Sequence, residues 1–96
     1  MTTKSGFEYR VDPRILTDWR FTMAIAKTQN GSDIEKLAGV EKMASLLLGN
    51  DQYEKLTEHV AEKNQGFVAA DAVIAEITEI LENAKESKNL SSSHIV

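Results

Sequence analysis

The segment 46–56, LLLGNDQYEKL, decides how the second half of this chain folds. Gly49 can adopt the left-handed backbone that ends a helix, and Asn50 or Asp51 can cap the helix that follows. Glu54 lies three residues after Asp51, which is the spacing of a capping box. The segment therefore predicts that one helix ends and another begins with almost no loop between them.

The helix before Gly49 begins at a second capping signal. Ser32 and Glu35 have the spacing of a capping box, and apolar residues recur behind them at helical spacing. Gly39 costs such a helix up to ~1 kcal/mol relative to alanine, but it allows a neighbouring helix to approach closely. The residues expected on the apolar face are Ile34, Leu37, Val40, Ala44, Leu47 and Leu48.

Two more helices are predicted after Gly49. One covers about 51–63, with Tyr53, Leu56 and Val60 on one face. The other runs from residue 70 or 71 to about 85. Its inward residues are expected to be Val73, Ile74, Ile77, Ile80, Leu81 and Ala84.

The N-terminal third contains a further helix with two candidate starts. Asp12 followed by a proline is a strong start signal, and from there a helix can run to about Gln29. Asp18 offers a second start, so a short first turn followed by a break is the alternative. The apolar stripe of this helix comprises Leu16, Trp19, Met23 and Ala26, and it is widened by Ile15 and Phe21.

The two ends of the chain are not expected to be helical. Apolar and polar residues alternate over 7–11, so this segment is extended and either pairs with 66–68 or lies across the helices. The stretch 87–96 is polar, serine-rich and aperiodic, which is typical of a disordered tail. The predicted fold is therefore all-α: a compact bundle of about four helices with a short extended N-terminal segment, in a single domain 1–86, and a disordered tail 87–96.

Composition limits the classes of function. A chain of 96 residues supports one core, and a net charge of −4 argues against nucleic acid as the main partner. Residues 1–30 hold five Lys/Arg and three Asp/Glu, a balance of +2, whereas the remaining residues hold six and twelve, a balance of −6. Such a dipolar chain can pair head to tail or offer an acidic face to a basic partner. Without cysteine or a long apolar run, a cytoplasmic protein without membrane contact is expected.

No residue pattern predicts catalysis or ligand binding. His59 would need carboxylate partners to hold a metal, and Glu58 and Glu62 do not complete a zinc motif. Together with Glu54 these glutamates form a row interspersed with lysines, which is typical of a solvated helix face. We therefore expect a non-enzymatic protein with no catalytic residue, no metal site and no cofactor.

Trp19 and Phe21 are the candidate partner-binding residues. Buried aromatic side chains dominate many protein interfaces, although a tryptophan in an amphipathic stripe is more often a core residue. Apolar residues lie on both sides of this helix, which is more apolar surface than a four-helix monomer can cover. The sequence thus predicts either self-association or a groove for a partner.

Several stretches resemble the small tail assembly chaperones of long-tailed bacteriophages and of prophages in Gram-positive bacteria. The N-terminal signature is carried by FEYRVD at 7–12 and LTDWRF at 16–21. The central and closing segments are carried by LLLG at 46–49, YEKL at 53–56, NQGFV at 64–68 and ITEI at 77–80. The resemblance covers residues 6–82. It is based on the order of the motifs, since each motif alone is unspecific.

The resemblance implies a non-enzymatic role in virus assembly. Members of this family bind the tape measure protein, keep it soluble, and assist polymerisation of the tail tube protein around it. They act in the cytoplasm of the host cell and are absent from the mature virion. The family commonly makes a longer product by ribosomal frameshifting, and Lys88-Asn89-Leu90 can be encoded by AAA-AAT-TTA, which contains the slippery heptamer A-AAT-TTA.

A second interpretation needs no resemblance. A small helical regulatory or adaptor protein can dock a basic partner through an acidic face such as the glutamate row of residues 54–62. It predicts a stable monomer without affinity for tape measure segments.

Overall fold

The computed structural model describes the backbone of residues 1–95 and the side chains of residues 1–86. Over these residues the protein has three α-helices and one short 3-10 helix, and no strand is longer than the isolated bridge between Thr2 and Glu8. The 3-10 helix is Pro13–Thr17, and the α-helices are α1 (Trp19–Gln29), α2 (Asp33–Lys63) and α3 (Ala70–Ile95). The all-α prediction is confirmed.

The predicted number of helices is corrected from four to three, because the second and third are the two arms of α2. Gly49 interrupts α2 with φ 77° and ψ 162°, which is a backbone conformation available almost only to glycine. The break occupies this single residue, so 33–48 and 50–63 form one kinked element. The position of the break agrees with the prediction, although no separate loop is formed there.

Two aspartate caps divide the N-terminal helix, as the alternative start at Asp18 allows. Asp12 accepts a hydrogen bond from the amide of Arg14 at 2.9 Å and caps the 3-10 helix. Asp18 has extended backbone, ends that short helix, and accepts from the amide of Arg20 at 2.8 Å to cap α1. The chain thus changes direction at Asp18 before α1 begins.

The hairpin formed by α1 and the first arm of α2 depends on a close backbone approach. Ser32 and Glu35 form the predicted capping box at the start of α2. A Cβ atom added at Gly39 would lie 2.9 Å from the Cβ of Lys27 and 2.9 Å from the backbone nitrogen of Thr28. Gly39 therefore lets the two helix backbones come together at this point, as predicted.

The extended N-terminal segment lies across the helices, which was one of its two predicted arrangements. The segment folds back on itself through the Thr2–Glu8 bridge, and within the described residues it forms no pairing with 66–68. Phe7 and Tyr9 are buried, and the hydroxyl of Tyr9 accepts from the side-chain amide of Asn83 on α3 at 2.9 Å. The segment thereby joins the core.

The core combines residues from every element except the 3-10 helix. Its four most completely buried large side chains are Phe21 of α1, Leu56 of α2, and Ile77 and Ile80 of α3. Tyr53, Leu56 and Val60 lie inward on the second arm of α2, as their spacing predicts.

Helix α3 extends into the segment 87–96, whose predicted disorder stays a prediction. α3 continues to Ile95, because after Gly66 the sequence contains neither glycine nor proline to end it. Val96, and the side chains of residues 87–96, lie outside the described residues.

Candidate interaction surface

α1 is apolar on two opposite faces. Phe21 and Ala24 are 1% and 2% exposed and face the core. Trp19 is 73% exposed and Met23 42% exposed. Trp19 precedes Phe21 by two positions, about 200° around the helix, so the two aromatic side chains point in opposite directions. The core therefore uses one apolar face of α1 and leaves the other in contact with solvent.

Of the two predicted partner-binding residues, one is exposed and the other is buried. The expectation that Trp19 is more often a core residue is wrong here, because the stripe containing Trp19 and Met23 is the outward one. Phe21, which was expected beside that stripe, is buried instead and has no surface to offer a partner in this fold. A partner-binding role for Trp19 stays a prediction.

A groove runs between the outward face of α1 and the first arm of α2. Its walls are formed by Trp19, Arg20, Met23, Ala24 and Lys27 of α1 and by Lys42 of α2. A second depression shares Met23 and Lys27 and continues to Glu35 at the start of α2. Lys42 lies one turn beyond Gly39, so the close approach at that glycine brings it to the edge of the groove. We call the first of these depressions the basic groove.

The cations of the basic groove differ in how they are compensated. Arg20 pairs with Asp18, its terminal nitrogen lying 3.1 Å from a carboxylate oxygen. The hydrogen bonds from the Arg20 side chain, followed by the one from its backbone amide, hold the pKa of Asp18 below its usual value. The ion pairs within the described residues are only Asp12–Arg14 and Asp18–Arg20, so Lys27 and Lys42 have no acidic partner there. The groove thus presents apolar surface beside two lysines that form no ion pair among the described residues.

The first arm of α2 also exposes apolar side chains. Ile34 is 79% exposed and Leu37 is 55% exposed, although both belong to the stripe that was expected to face inward. They lie on the side of α2 that points away from Gly39, and hence away from α1. The α1–α2 hairpin therefore has apolar surface on both of its outer sides. The sequence pattern identifies these residues as apolar but not as exposed.

The turn between α2 and α3 forms a second exposed apolar site. Phe67 is 75% exposed and Val68 is 51% exposed. Hydrogen bonds hold the backbone before them: the amide of Gly66 donates to the carbonyl of Ala61 at 2.8 Å, and that of Phe67 to the carbonyl of Asn64 at 3.1 Å. The turn thus holds Phe67 outward on an ordered backbone. The sequence analysis named this stretch as part of the resemblance and as a possible pairing partner of 7–11, but not as a binding site.

His59 takes part in a polar cluster that anchors the N-terminal segment. Its Nε2 lies 2.9 Å from the hydroxyl of Ser5, which in turn donates to the carboxylate of Glu76. Thr3 donates to the same carboxylate at 2.9 Å, and Glu76 is 8% exposed. In a nucleophilic triad the histidine lies between the serine and the carboxylate, whereas here the serine is in the middle. The arrangement fixes the segment to α2 and α3 and does not activate the serine.

Other polar residues of the sequence analysis lie at the surface. Glu54, Glu58 and Glu62 are exposed, as expected of a solvated face. Among the described residues, no three His, Cys, Asp or Glu side chains come together as a metal site would require.

Comparison with known proteins adds no relative: neither the protein-family models, nor the curated proteins, nor the solved structures contain a match to this chain. Within the described residues, none of the helices combines the length and the apolar character needed to cross a membrane.

Proposed function

We propose that this protein is a phage tail assembly chaperone that binds the tape measure protein and assists assembly of the tail tube, without catalysis. The proposal starts from the resemblance of residues 6–82. The observation that supports it best is the exposed apolar surface of the α1–α2 hairpin, which includes Trp19, Met23, Ile34 and Leu37. A protein this small gains nothing for its own stability from apolar side chains left in water, and exposed patches of this kind commonly mark binding sites.

A helical client suits this surface. An amphipathic helix binds a groove by inserting apolar side chains at a spacing of three or four residues. Trp19 and Met23 are themselves one turn apart and form one wall of the basic groove. A tape measure protein is long, helical and prone to aggregation, and the chaperone would cover its apolar stripes until the tube subunits replace it. On this account the protein acts in the host cytoplasm and is absent from the finished virion.

Co-expression with the tape measure protein tests the proposal. We expect the tape measure protein to be soluble with the wild-type chain and to aggregate when Trp19 is replaced by serine. The matched control is Phe67→Ser, because Phe67 is a similarly exposed aromatic residue on a different element (75% against 73%). This variant should keep the tape measure protein soluble. Aggregation with the wild-type chain, or solubility that is unaffected by Trp19→Ser, would contradict the proposal.

The gene itself provides an independent test. If the chain is a tail chaperone, the codons of Lys88-Asn89-Leu90 should contain a slippery heptamer, with an overlapping downstream frame and a very long tape measure gene beyond it. An isolated gene far from any tail genes would argue for the alternative function instead.

The alternative is a small helical adaptor that docks a basic partner. It is favoured by the exposed row Glu54, Glu58 and Glu62 on the second arm of α2. Replacing these three glutamates by glutamine would abolish binding to such a partner, whereas binding of a tape measure segment would be unchanged.

A further inference from the structure

We infer that the basic groove binds an acidic amphipathic helix of another protein. The apolar stripe of that helix covers Trp19 and Met23, and its carboxylates pair with Lys27 and Lys42. Trp19 and Met23 are one helical turn apart, and their side chains are 73% and 42% exposed. A helix that lies along α1 would cover both of them at once.

The length of α1 sets the length of the bound segment. α1 has 11 residues, so its outward face is ~16 Å long at a rise of 1.5 Å per residue. A partner helix of about three turns spans this distance and offers apolar side chains every three or four residues. An extended segment would direct alternate side chains away from the groove and would cover the apolar stripe less completely.

The charges around the groove are all of one sign. Arg20, Lys27 and Lys42 line it, and no carboxylate does. The two carboxylates that border it are already engaged, because Asp18 caps α1 and pairs with Arg20, and Glu35 belongs to the capping box of α2. Lys27 and Lys42 form no ion pair among the described residues. The groove therefore favours an apolar segment that is flanked by carboxylates.

The net charge of the chain favours a short acidic helix over larger anionic partners. A nucleic acid or an anionic lipid surface extends far beyond the groove. It would meet the excess of carboxylates that gives the chain its net charge of −4. A helix of about three turns stays within the groove and contacts its cations alone.

This charge preference would select among the segments of a client. For the tape measure protein, a step that rests on the proposed function, the segments bound would be those whose apolar stripe is flanked by aspartate and glutamate. Segments flanked by lysine and arginine would be repelled by Lys27 and Lys42 and left uncovered.

Titration of the full chain with two synthetic helical peptides tests the inference. Both have about 14 residues, with leucines at helical spacing and no aromatic residue. One carries glutamate at every flanking position, and the other carries lysine there. Trp19 is the single tryptophan of the chain, so its emission reports binding.

We expect the glutamate peptide to bind about tenfold more tightly than the lysine peptide in low salt, because two exposed ion pairs are replaced by two repulsions. In about 1 M NaCl, where charges are screened within about 3 Å, most of this preference should be lost.

Reversal of the two lysine charges gives the sharpest readout. The double variant Lys27→Glu with Lys42→Glu should bind the lysine peptide more tightly than the glutamate peptide. A chain that had lost its fold could not gain affinity in this way, so the inversion separates charge from folding. The matched control is Lys55→Glu with Lys63→Glu, which changes an exposed lysine inside α2 and one in the last turn of a helix, as at Lys42 and Lys27. It should keep the wild-type preference.

Three results would overturn the inference: equal affinity for the two peptides in low salt, a double reversal that leaves the preference unchanged, or binding of anionic phosphatidylglycerol vesicles but of neither peptide. The last would assign the groove to a lipid surface. Failure here is separate from failure of the proposed function. A tape measure protein that is soluble with the wild-type chain but not with Trp19→Ser would still support the chaperone role if the groove proved indifferent to charge.

Discussion

The two ends of α2 use their apolar residues in different ways. Around its second arm, apart from the Phe67–Val68 turn that follows it, the N-terminal segment and α3 cover most apolar side chains: Leu56 and Ile80 are fully buried, and Phe7 is 6% exposed. Around its first arm, only one side is covered, by α1, and large apolar side chains remain exposed on the outside of both helices. The contacts around the second arm stabilise the fold. The region around the first arm is folded as well, but it leaves apolar side chains exposed on its outer surface.

This difference separates stability from function within a small chain. Substitutions around the second arm should cost folding free energy, while substitutions on the outer faces of the hairpin should cost binding and leave the fold intact.

The largest expected effect is the difference in stability between isoleucine-to-alanine substitutions at two positions. Ile80→Ala removes a side chain with no exposed surface and should lower the free energy of unfolding by about 2–5 kcal/mol. Ile34→Ala makes the same change at a position that is 79% exposed, and should change it by less than about 0.5 kcal/mol. Urea denaturation measures both. Equal losses at the two positions would show that the hairpin is packed against something that the described fold does not contain.

The next effect concerns the buried carboxylate that holds the N-terminal segment. Glu76→Ala leaves the hydroxyls of Thr3 and Ser5 without their acceptor, which should cost about 1–3 kcal/mol. Amide hydrogen exchange should then speed up at Phe7, whose amide donates to the side chain of Thr3 at 3.1 Å. Glu82→Ala, at an exposed position of the same helix, is the control and should leave exchange unchanged. Normal protection of Phe7 in the Glu76 variant would argue that the segment is held by its apolar contacts alone.

Gly39→Ala tests the contact that joins the hairpin. The added methyl group would meet Lys27 and Thr28 at 2.9 Å, and overpacking of this kind costs about 1–3 kcal/mol. The gain in helix propensity offsets at most ~1 kcal/mol. We expect net destabilisation, measured by thermal unfolding, and weaker client binding because α1 moves away from Lys42 and the groove changes shape. A variant more stable than the wild type would mean that the two helices can move apart without a loss of folding free energy.

The smallest effect is a dependence on pH at the start of α1. Hydrogen bonds from Arg20 lower the pKa of Asp18 in the folded protein, so the ionised carboxylate stabilises the fold. That contribution is complete above the unfolded pKa of about 3.9 and is lost as the pH falls through the lower, folded value.

Asp18→Asn keeps a good N-cap residue but cannot ionise. The stability difference between wild type and this variant should therefore shrink as the pH is lowered below about 4. Because the pair is at the surface, the difference is small at every pH. A difference that grows in acid would contradict the sign.

The sequence predicts the local structure well because its signals are local. These signals act through hydrogen bonds and backbone conformations within a few residues. Ser32 and Glu35 form the predicted capping box, Asp12 caps a helix that begins at Pro13 but ends at Thr17, and the break in α2 falls at Gly49. Gly39 was also interpreted correctly, since a glycine inside a helix has few other uses.

The missed features depend on tertiary contacts. Both faces of α1 carry apolar residues at helical spacing, so periodicity cannot tell whether Phe21 or Trp19 faces the core. Likewise, Ile34 and Leu37 continue a stripe of apolar residues that is buried further along α2. They are exposed because no element covers them within the described residues. For the candidate site, sequence analysis named Trp19 but not Lys27, Lys42 or the turn at Phe67, which become neighbours of apolar surface only in the fold.

The most direct test of the central claim, that the outward face of α1 is the binding surface, uses the protein's own fluorescence. Trp19 is the single tryptophan of the chain and is largely exposed, so the free protein at low concentration should emit at the long wavelength of a solvated indole. Titration with a helical tape measure segment should shift that emission to shorter wavelength and saturate as Trp19 becomes buried. Binding detected by calorimetry with no change in the emission of Trp19 would place the binding surface elsewhere and contradict the account.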